Sequence, residues 1–177
     1  MDLRRTLNGA LAGATAAGVW AAQQPLDKRT FGTRYDDVEL LGKLVTRGSG
    51  WPAAGLALHL ANGAGFGAAY ALARPVLPVP PLAAGVAAGL AEHLGGWALV
   101  GLVDRHHPAR SELEPLYGNT RAFFAAGWRH LLFGLVLAEL ERRLNDVRGF
   151  EPLEQVPPVA SNGHGDIEHA AVGATES

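Results

Sequence analysis

The sequence predicts an all-α integral membrane protein, built as a four-helix bundle. Three observations support this fold class. Four long stretches, residues 7–22, 51–73, 82–103 and 122–138, together contain only two charged residues, Glu92 and Arg129. The remaining charges crowd into the segments between and beyond these stretches. Each of the first three stretches also contains a GxxxG pair, the pattern that lets helices pack closely in lipid.

The lengths of the four stretches fit membrane spans unequally. A hydrocarbon core of about 30 Å needs about 20 helical residues, with a usual range of 17–25. The second and third stretches satisfy this requirement, the fourth is at its lower limit and the first is short. A soluble bundle of buried helices is the alternative. The second and third stretches disfavour it, because they lack the charged outer face of a helix exposed to water.

Composition excludes several functional classes. A formal net charge of −2 and the absence of a basic stripe give no reason to expect nucleic acid as a partner. The chain has no cysteine, which excludes disulfides, thiolate catalysis and thiolate metal sites. Its 177 residues suit one membrane domain over residues 1–148. Residues 149–177 lose all periodicity, and we expect them to form a disordered tail.

The first stretch has two interpretations. Arg4 and Arg5, a weakly apolar segment and small residues near Ala21 resemble a cleavable signal peptide. Retention as the first span is the favoured interpretation, because the segment has a counterpart later in the chain.

That counterpart indicates an internal duplication. Each half of the chain has a GxxxG helix with a late tryptophan, then an Asp/Arg loop, then a helix with a His-Leu pair. The landmarks are Trp20, Asp27, Arg29 and His59 in the first half, and Trp97, Asp104, Arg105 and His130 in the second. Two helices per unit predict two parallel helical-hairpin repeats, related by an axis along the membrane normal.

A short interfacial helix is predicted between the first two spans. Asp36 and Glu39 form a capping box ahead of apolar residues that recur at helical spacing as far as Gly48. We expect this helix to be structural.

The glycines of the GxxxG pairs are predicted helix-packing residues. They are Gly9, Gly13, Gly63, Gly67, Gly85 and Gly89. Glycine weakens a helix in water, but in lipid it lets backbones approach and pack by van der Waals contact. These faces predict a tight bundle, or a surface for a membrane-protein partner or a homo-oligomer.

Ionisable and amide residues near the midpoints of three spans form the candidate functional site. They are His59 and Asn62, Glu92 and His93, and Arg129 and His130. A charge at the centre of a bilayer costs about 2.5–3.5 kcal/mol on translocon scales unless it is paired or hydrated. Glu92 and Arg129 are therefore the expected ion pair, as a structural clamp or as part of a functional site.

The histidines of this cluster admit three roles. They can cross-link helices by hydrogen bonds, or relay protons, since an imidazole titrates near physiological pH. They can also bind a metal with Glu92, although the residues come from three helices and show no HExxH-like spacing. No catalytic nucleophile and no cofactor-binding motif is evident, so we expect neither catalytic residues nor a cofactor.

Orientation follows from the positive-inside rule. Arg4-Arg5 and Arg142-Arg143 adjoin span ends, which favours cytoplasmic termini. The first and third loops contain more basic residues in total, but those of the first loop are mixed into a folded interfacial segment.

The layout resembles that of small bacterial inner-membrane proteins related to the YagU acid-resistance protein. The resemblance rests on Gly9-Ala-Leu-Ala-Gly13 leading to Trp20 and Pro25, on a histidine-bearing second span ending near Tyr70, on His93, and on Arg129-His130-Leu131 running to Glu139 and Arg142-Arg143. It covers most of residues 7–145. It implies an inner-membrane location and a role in surviving acid, and it brings no catalytic residues.

The expected function is non-enzymatic, with the lipid bilayer as the principal partner. We expect proton or small-solute permeation, or envelope stress tolerance in acid, through the polar cluster. One alternative is a structural membrane protein that packs with partners through its GxxxG faces. A second alternative is an intramembrane metal-dependent enzyme.

Overall fold

The computed structural model describes residues 2–145, in which the only regular secondary structure is helical and no strand is present. The all-helical prediction is confirmed for this part of the chain. The α-helices are α1 (Leu3–Phe31), α2 (Asp37–Val45), α3 (Trp51–Ala73), α4 (Pro81–Trp97), α5 (Val100–His106) and α6 (Thr120–Asn145), with a 3-10 turn at Arg74–Val76. The predicted disordered tail, residues 149–177, lies outside the described residues.

Helix α1 is longer than the first predicted span. It begins after Asp2, whose side chain accepts a hydrogen bond from the Arg5 amide, and it continues past Pro25 to Phe31. It ends at Gly32, which adopts the left-handed conformation (φ 64°) that glycine allows at a helix end. Because the helix continues into polar sequence, Asp27 and Arg29 lie on α1 and not in the predicted loop.

Helix α3 has the predicted bounds of the second span, whereas the third predicted span is broken. Pro52 lies in the first turn of α3, where its missing amide hydrogen costs nothing. The predicted span 82–103 instead forms α4 and α5, which are bent by 45° across the break between Trp97 and Val100. Helix α6 extends the predicted fourth span, 122–138, at both ends.

Helix α2 is capped as the sequence predicts and lies against the start of α3. The Asp36 carboxylate accepts a hydrogen bond from the Glu39 amide at 2.9 Å. Gly42 faces the Trp51 carbonyl, and Gly55 of α3 faces the Val38 carbonyl, so closely that a methyl group at either glycine would overlap the opposite backbone.

The six glycines of the GxxxG pairs all lie at helix contacts within the chain. Methyl groups added at Gly9 or Gly13 would overlap the backbone of α3 at Gly67 and Gly63. In the same way, Gly85 and Gly89 of α4 face the backbone of α6, at Gly134 and His130. All six are buried, so these faces are occupied by the chain itself.

The packed helix pairs arrange the bundle around α1 and α6. Helix α1 packs against both α3 and α6, while α4 packs against α6 and α2 packs against α3. The α1–α3 and α4–α6 pairs both use glycine contacts. A cavity is lined by residues of α3 and α4 together with residues of α1 and α6.

Apart from Glu92 and Arg129, the charged residues of the described chain lie near the ends of the long helices, in the short helices α2 and α5 or in loops, and the middles of the long helices are apolar. Large apolar side chains exposed there include Leu58 of α3, Leu94 of α4 and Leu135 of α6. By length and composition, α6 can cross a membrane, and the bent α4–α5 pair can as well if it counts as one span. Helices α1 and α3, which contain the first two predicted spans (residues 7–22 and 51–73), do not meet this criterion of length and composition.

Glu114 connects the end of α1 to the loop before α6. Its carboxylate accepts hydrogen bonds from the Thr33 hydroxyl at 2.8 Å, the Arg34 amide at 2.5 Å and the Asn119 side chain at 3.0 Å. Burial raises the pKa of Glu114, but these hydrogen bonds outweigh that effect and hold the pKa below its usual value.

The lowered pKa predicts how this connection depends on pH. Because the folded state favours the carboxylate, the stabilisation should be complete above the unfolded-state pKa of about 4.3 and should disappear as the pH falls through the folded-state value. We expect Glu114→Gln to lower the thermal unfolding midpoint at neutral pH, with the difference from wild type shrinking in acid. A difference that grows in acid would contradict this assignment.

Candidate functional site

Arg129 of α6 is the most deeply buried charged residue of the site, with 0% of its surface exposed. Its Nε lies 2.6 Å from Asp27 Oδ2, and its Nη1 lies 2.8 Å from Asp37 Oδ2. Nη2 donates to the Tyr35 carbonyl at 3.2 Å. The predicted Glu92–Arg129 ion pair is therefore wrong, because Arg129 faces α1 and α2 rather than α4.

The two carboxylates of this ion pair network have further donors. The Trp20 indole donates to Asp37 Oδ2 at 3.1 Å, and the Tyr35 hydroxyl donates to Asp37 Oδ1 at 2.5 Å. Gln23 donates to Asp27 Oδ2 at 2.9 Å. Burial, followed by the charge of Asp37, raises the pKa of Tyr35 well above its ordinary value, so Tyr35 stays a hydrogen-bond donor. This arrangement holds the end of α1 and the start of α2 against α6.

Glu92 pairs instead with His130. The His130 Nε2 and Glu92 Oε2 atoms make a very short contact. The other ring nitrogen of His130, Nδ1, lies 2.7 Å from the Ala126 carbonyl oxygen. A carbonyl can only accept, so the hydrogen-bond network assigns a hydrogen to Nδ1. A hydrogen bond between Nε2 and the Glu92 carboxylate requires a second hydrogen, located between these two atoms.

Two further histidines lie near this pair. The His93 ring centroid is 5.1 Å from that of His130, and the residue is 4% exposed. The Trp20 ring lies 4.5 Å from the His130 ring and 5.1 Å from the His59 ring. Three ring nitrogens have no hydrogen-bond partner among the described residues: both nitrogens of His93, and Nε2 of His59.

A cavity of about 210 Å³ lies between α3 and α4 and joins these groups. Five of the six predicted site residues line it, namely His59, Asn62, Glu92, His93 and His130. Arg129 is the exception. Aromatic side chains contribute much of the remaining wall: Trp20, Tyr35, Phe66, Trp97 and Phe133. The Glu92 side chain is 41% exposed and marks the side on which the cavity can be reached.

The cavity ends in aromatic packing towards the C-terminal halves of α3 and α6. The Phe66 and Phe133 ring centroids are 5.5 Å apart in an edge-to-face arrangement. Close to these rings in the sequence are the glycine contacts of Gly9 with Gly67 and of Gly85 with Gly134. The polar part of the cavity is thus on the side of α2 and α5.

Metal binding finds no geometric support in residues 2–145. In that range no three His, Asp or Glu side chains are placed to hold a metal ion together. The three predicted site histidines do approach one another, but through edge-to-face and tilted ring contacts with Trp20 and His130 rather than through convergent nitrogens.

Sequence reasoning missed Asp27, Asp37, Tyr35 and the two tryptophans of the site. A signal for Asp27 was present in α1, whose buried face continues from Gly13 through Trp20 and Gln24 to Asp27 at helical spacing. The hydropathy of the sequence instead predicts that the span ends at residue 22 and that Asp27 lies in a loop. Asp37 had no comparable signal, because its position depends on how α2 packs.

Comparisons with protein-family models, with curated proteins and with solved structures give no match to this chain. The resemblance to the proteins related to the YagU acid-resistance protein therefore stays a prediction.

Proposed function

We propose that the chain is a multi-pass membrane protein in which α1, α3, the α4–α5 pair and α6 cross the bilayer. The bundle has the polarity that this requires, with charges at its ends and exposed apolar side chains between them. Helix α3 contains no Asp, Glu, Lys or Arg over 23 residues. The buried Arg129 is paired with carboxylates, as an arginine at membrane depth must be.

Within that bundle, the proposed function is to move protons, or small solutes together with protons, through the cavity. The observation that carries this proposal is the close contact of Glu92 with His130 at the wall of the cavity, and the proposal places one shared proton in this pair. An imidazole titrates near physiological pH, and a neighbouring carboxylate compensates the positive charge that the imidazole gains when it is protonated. His93 and His59 supply further titratable groups around the same cavity.

Proton flux into liposomes tests this function. We expect full-length protein in vesicles with a trapped pH-sensitive dye to dissipate a pH gradient. Glu92→Gln should lower the rate at least about tenfold, since a general proton donor or acceptor contributes about 10²–10⁴-fold to proton transfer. His93→Ala should reduce the rate as well, because its ring stacks beside His130.

Glu139→Gln is the matched control for Glu92→Gln. Glu139 is a carboxylate on α6 that pairs with Arg142 and Arg143 outside the cavity. This variant should keep the wild-type flux. Wild-type vesicles no leakier than protein-free vesicles, or a Glu92→Gln rate equal to that of wild type, would contradict the proposal.

The other predictions about function have less support. The structural alternative needs free GxxxG faces, and those glycines pack within the chain. The metal-enzyme alternative would need metal retained after dialysis of detergent-purified protein. The proposal also includes an inner-membrane location, cytoplasmic termini, parallel repeats and a role in surviving acid. Survival of an acid-challenged host that carries the wild-type chain or Glu92→Gln would test the last of these.

A further inference from the structure

We propose that the cavity binds a protonated amine with a small apolar body, and that this amine displaces the proton shared by Glu92 and His130. The inference rests on the proposed proton-handling role of that pair and adds a class of solute to it. Three properties of the cavity lead to it: its charge, its aromatic wall and its unpartnered nitrogens.

The charge of the site favours a cation. The charged side chains among the described lining residues are the carboxylates of Asp37 and Glu92, and neither lysine nor arginine lines the cavity. Behind the wall, Asp27 and Asp37 supply two negative charges against the single positive charge of Arg129. One negative charge therefore remains uncompensated there. In a low-dielectric environment it attracts a monovalent cation strongly.

The aromatic wall suits both ends of an amine of this kind. Faces of tryptophan and tyrosine rings attract ammonium groups, and Trp20, Tyr35 and Trp97 line the cavity near the carboxylates. Phe66 and Phe133 form an apolar end that can take the body of the ligand. A volume of about 210 Å³ exceeds the roughly 150 Å³ in which an apolar cavity holds benzene.

The unpartnered nitrogens point to a hydrogen-bonding ligand. His59 is 6% exposed and His93 is 4% exposed, and both line the cavity. Buried polar groups nearly always have partners, so the free Nε2 of His59 and the two free nitrogens of His93 require an explanation. An ammonium group carries several N–H donors, and a neutral imidazole offers a lone pair to accept one.

Exchange of the proton for the amine keeps the charge of the site constant. Before binding, Glu92 and His130 together are neutral because they share a proton. An ammonium group beside the Glu92 carboxylate takes the place of that proton, which leaves to water, while His130 keeps the Nδ1 hydrogen on the Ala126 carbonyl. One positive charge enters as one leaves, so no net charge is added to the low-dielectric interior.

The groups that face this exchange come from every surrounding element. They are His59 of α3, Asp37 of α2, Tyr35 of the preceding linker and His93 of α4, with Trp20 of α1 between the rings. Arg129 of α6 lies behind the wall, where its guanidinium is bound to Asp37.

Calorimetric titration of the full-length protein in lipid nanodiscs tests this inference. The ligands are phenethylamine, which stays protonated across neutral pH, and 2-phenylethanol, a neutral molecule of the same shape. We expect the amine to bind at least about tenfold more tightly. Titrations in two buffers of different ionisation enthalpy should show release of about one proton per amine and none for the alcohol.

Variants separate this inference from the proposed function. Glu92→Gln should weaken amine binding at least about tenfold and abolish proton release, while Glu139→Gln should match wild type. If Glu92→Gln fails to give a folded protein by circular dichroism, Glu92→Asp replaces it and should retain proton release. Equal affinities for the two ligands, or amine binding without proton release, would overturn the inference. Proton flux that depends on Glu92, without amine binding, would contradict only the inference of an amine ligand. Proton flux that does not depend on Glu92 would contradict the proposed function itself.

Discussion

Replacing Arg129 by methionine is expected to lower the free energy of unfolding by about 3–5 kcal/mol. The guanidinium is fully buried and pairs with Asp27 and Asp37. Its removal leaves two carboxylates close together with no cation between them, and the contact of α6 with the ends of α1 and α2 should loosen. Thermal or denaturant unfolding in detergent, followed by circular dichroism, measures the effect.

Two further variants identify the cause of that loss. Arg143→Met removes an arginine of the same helix whose side chain is 68% exposed, and it should have little effect. Combining Arg129→Met with Asp27→Asn and Asp37→Asn should recover much of the stability, because the buried charges are then gone. If Arg129→Met is no less stable than Arg143→Met, the buried ion pair network does not hold the bundle together.

Gly13→Ala should destabilise the fold by about 1–3 kcal/mol or more, even though alanine is the better helix former. A methyl group at this position would overlap the Gly63 carbonyl, so α1 and α3 would have to separate. Backbone cannot move aside as a flexible side chain can. The same unfolding measurement tests this expectation.

Gly65→Ala is the matched control on α3. An added methyl group there meets no other atom within 4 Å, so the same substitution should be neutral or stabilising by about 0.5–1 kcal/mol. Equal stabilities for Gly13→Ala and Gly65→Ala would show that the helices do not approach as closely as the structure has them.

The helical architecture could be predicted from the sequence because its signals are local. The bounds of α3 follow from Pro52 at its start and from the run without Asp, Glu, Lys or Arg after it. The cap of α2 follows from the Asp36–Glu39 spacing. The break between Trp97 and Val100 could not be predicted, since the sequence there is as apolar as the rest of the stretch and the bend depends on packing.

The pairing of the charged residues depends on side-chain direction and so escaped prediction. The sequence predicts a Glu92–Arg129 ion pair because these are the two charged residues within the apolar stretches. Arg129 and His130 are adjacent, however, and point about 100° apart on α6. That angle turns Arg129 towards Asp27 and Asp37, and it turns His130 towards Glu92.

The proposed function requires lipid around the middle of the bundle, and depth measurements by electron paramagnetic resonance test this directly. The chain has no cysteine, so a single spin label can be placed at Leu58, Leu94, Leu135 or Ser49 without background. In liposomes, labels at the three leucines should collide more with oxygen than with a water-soluble nickel complex, and the label at Ser49 should show the reverse. Ready access of the nickel complex to all three leucine positions would contradict the account.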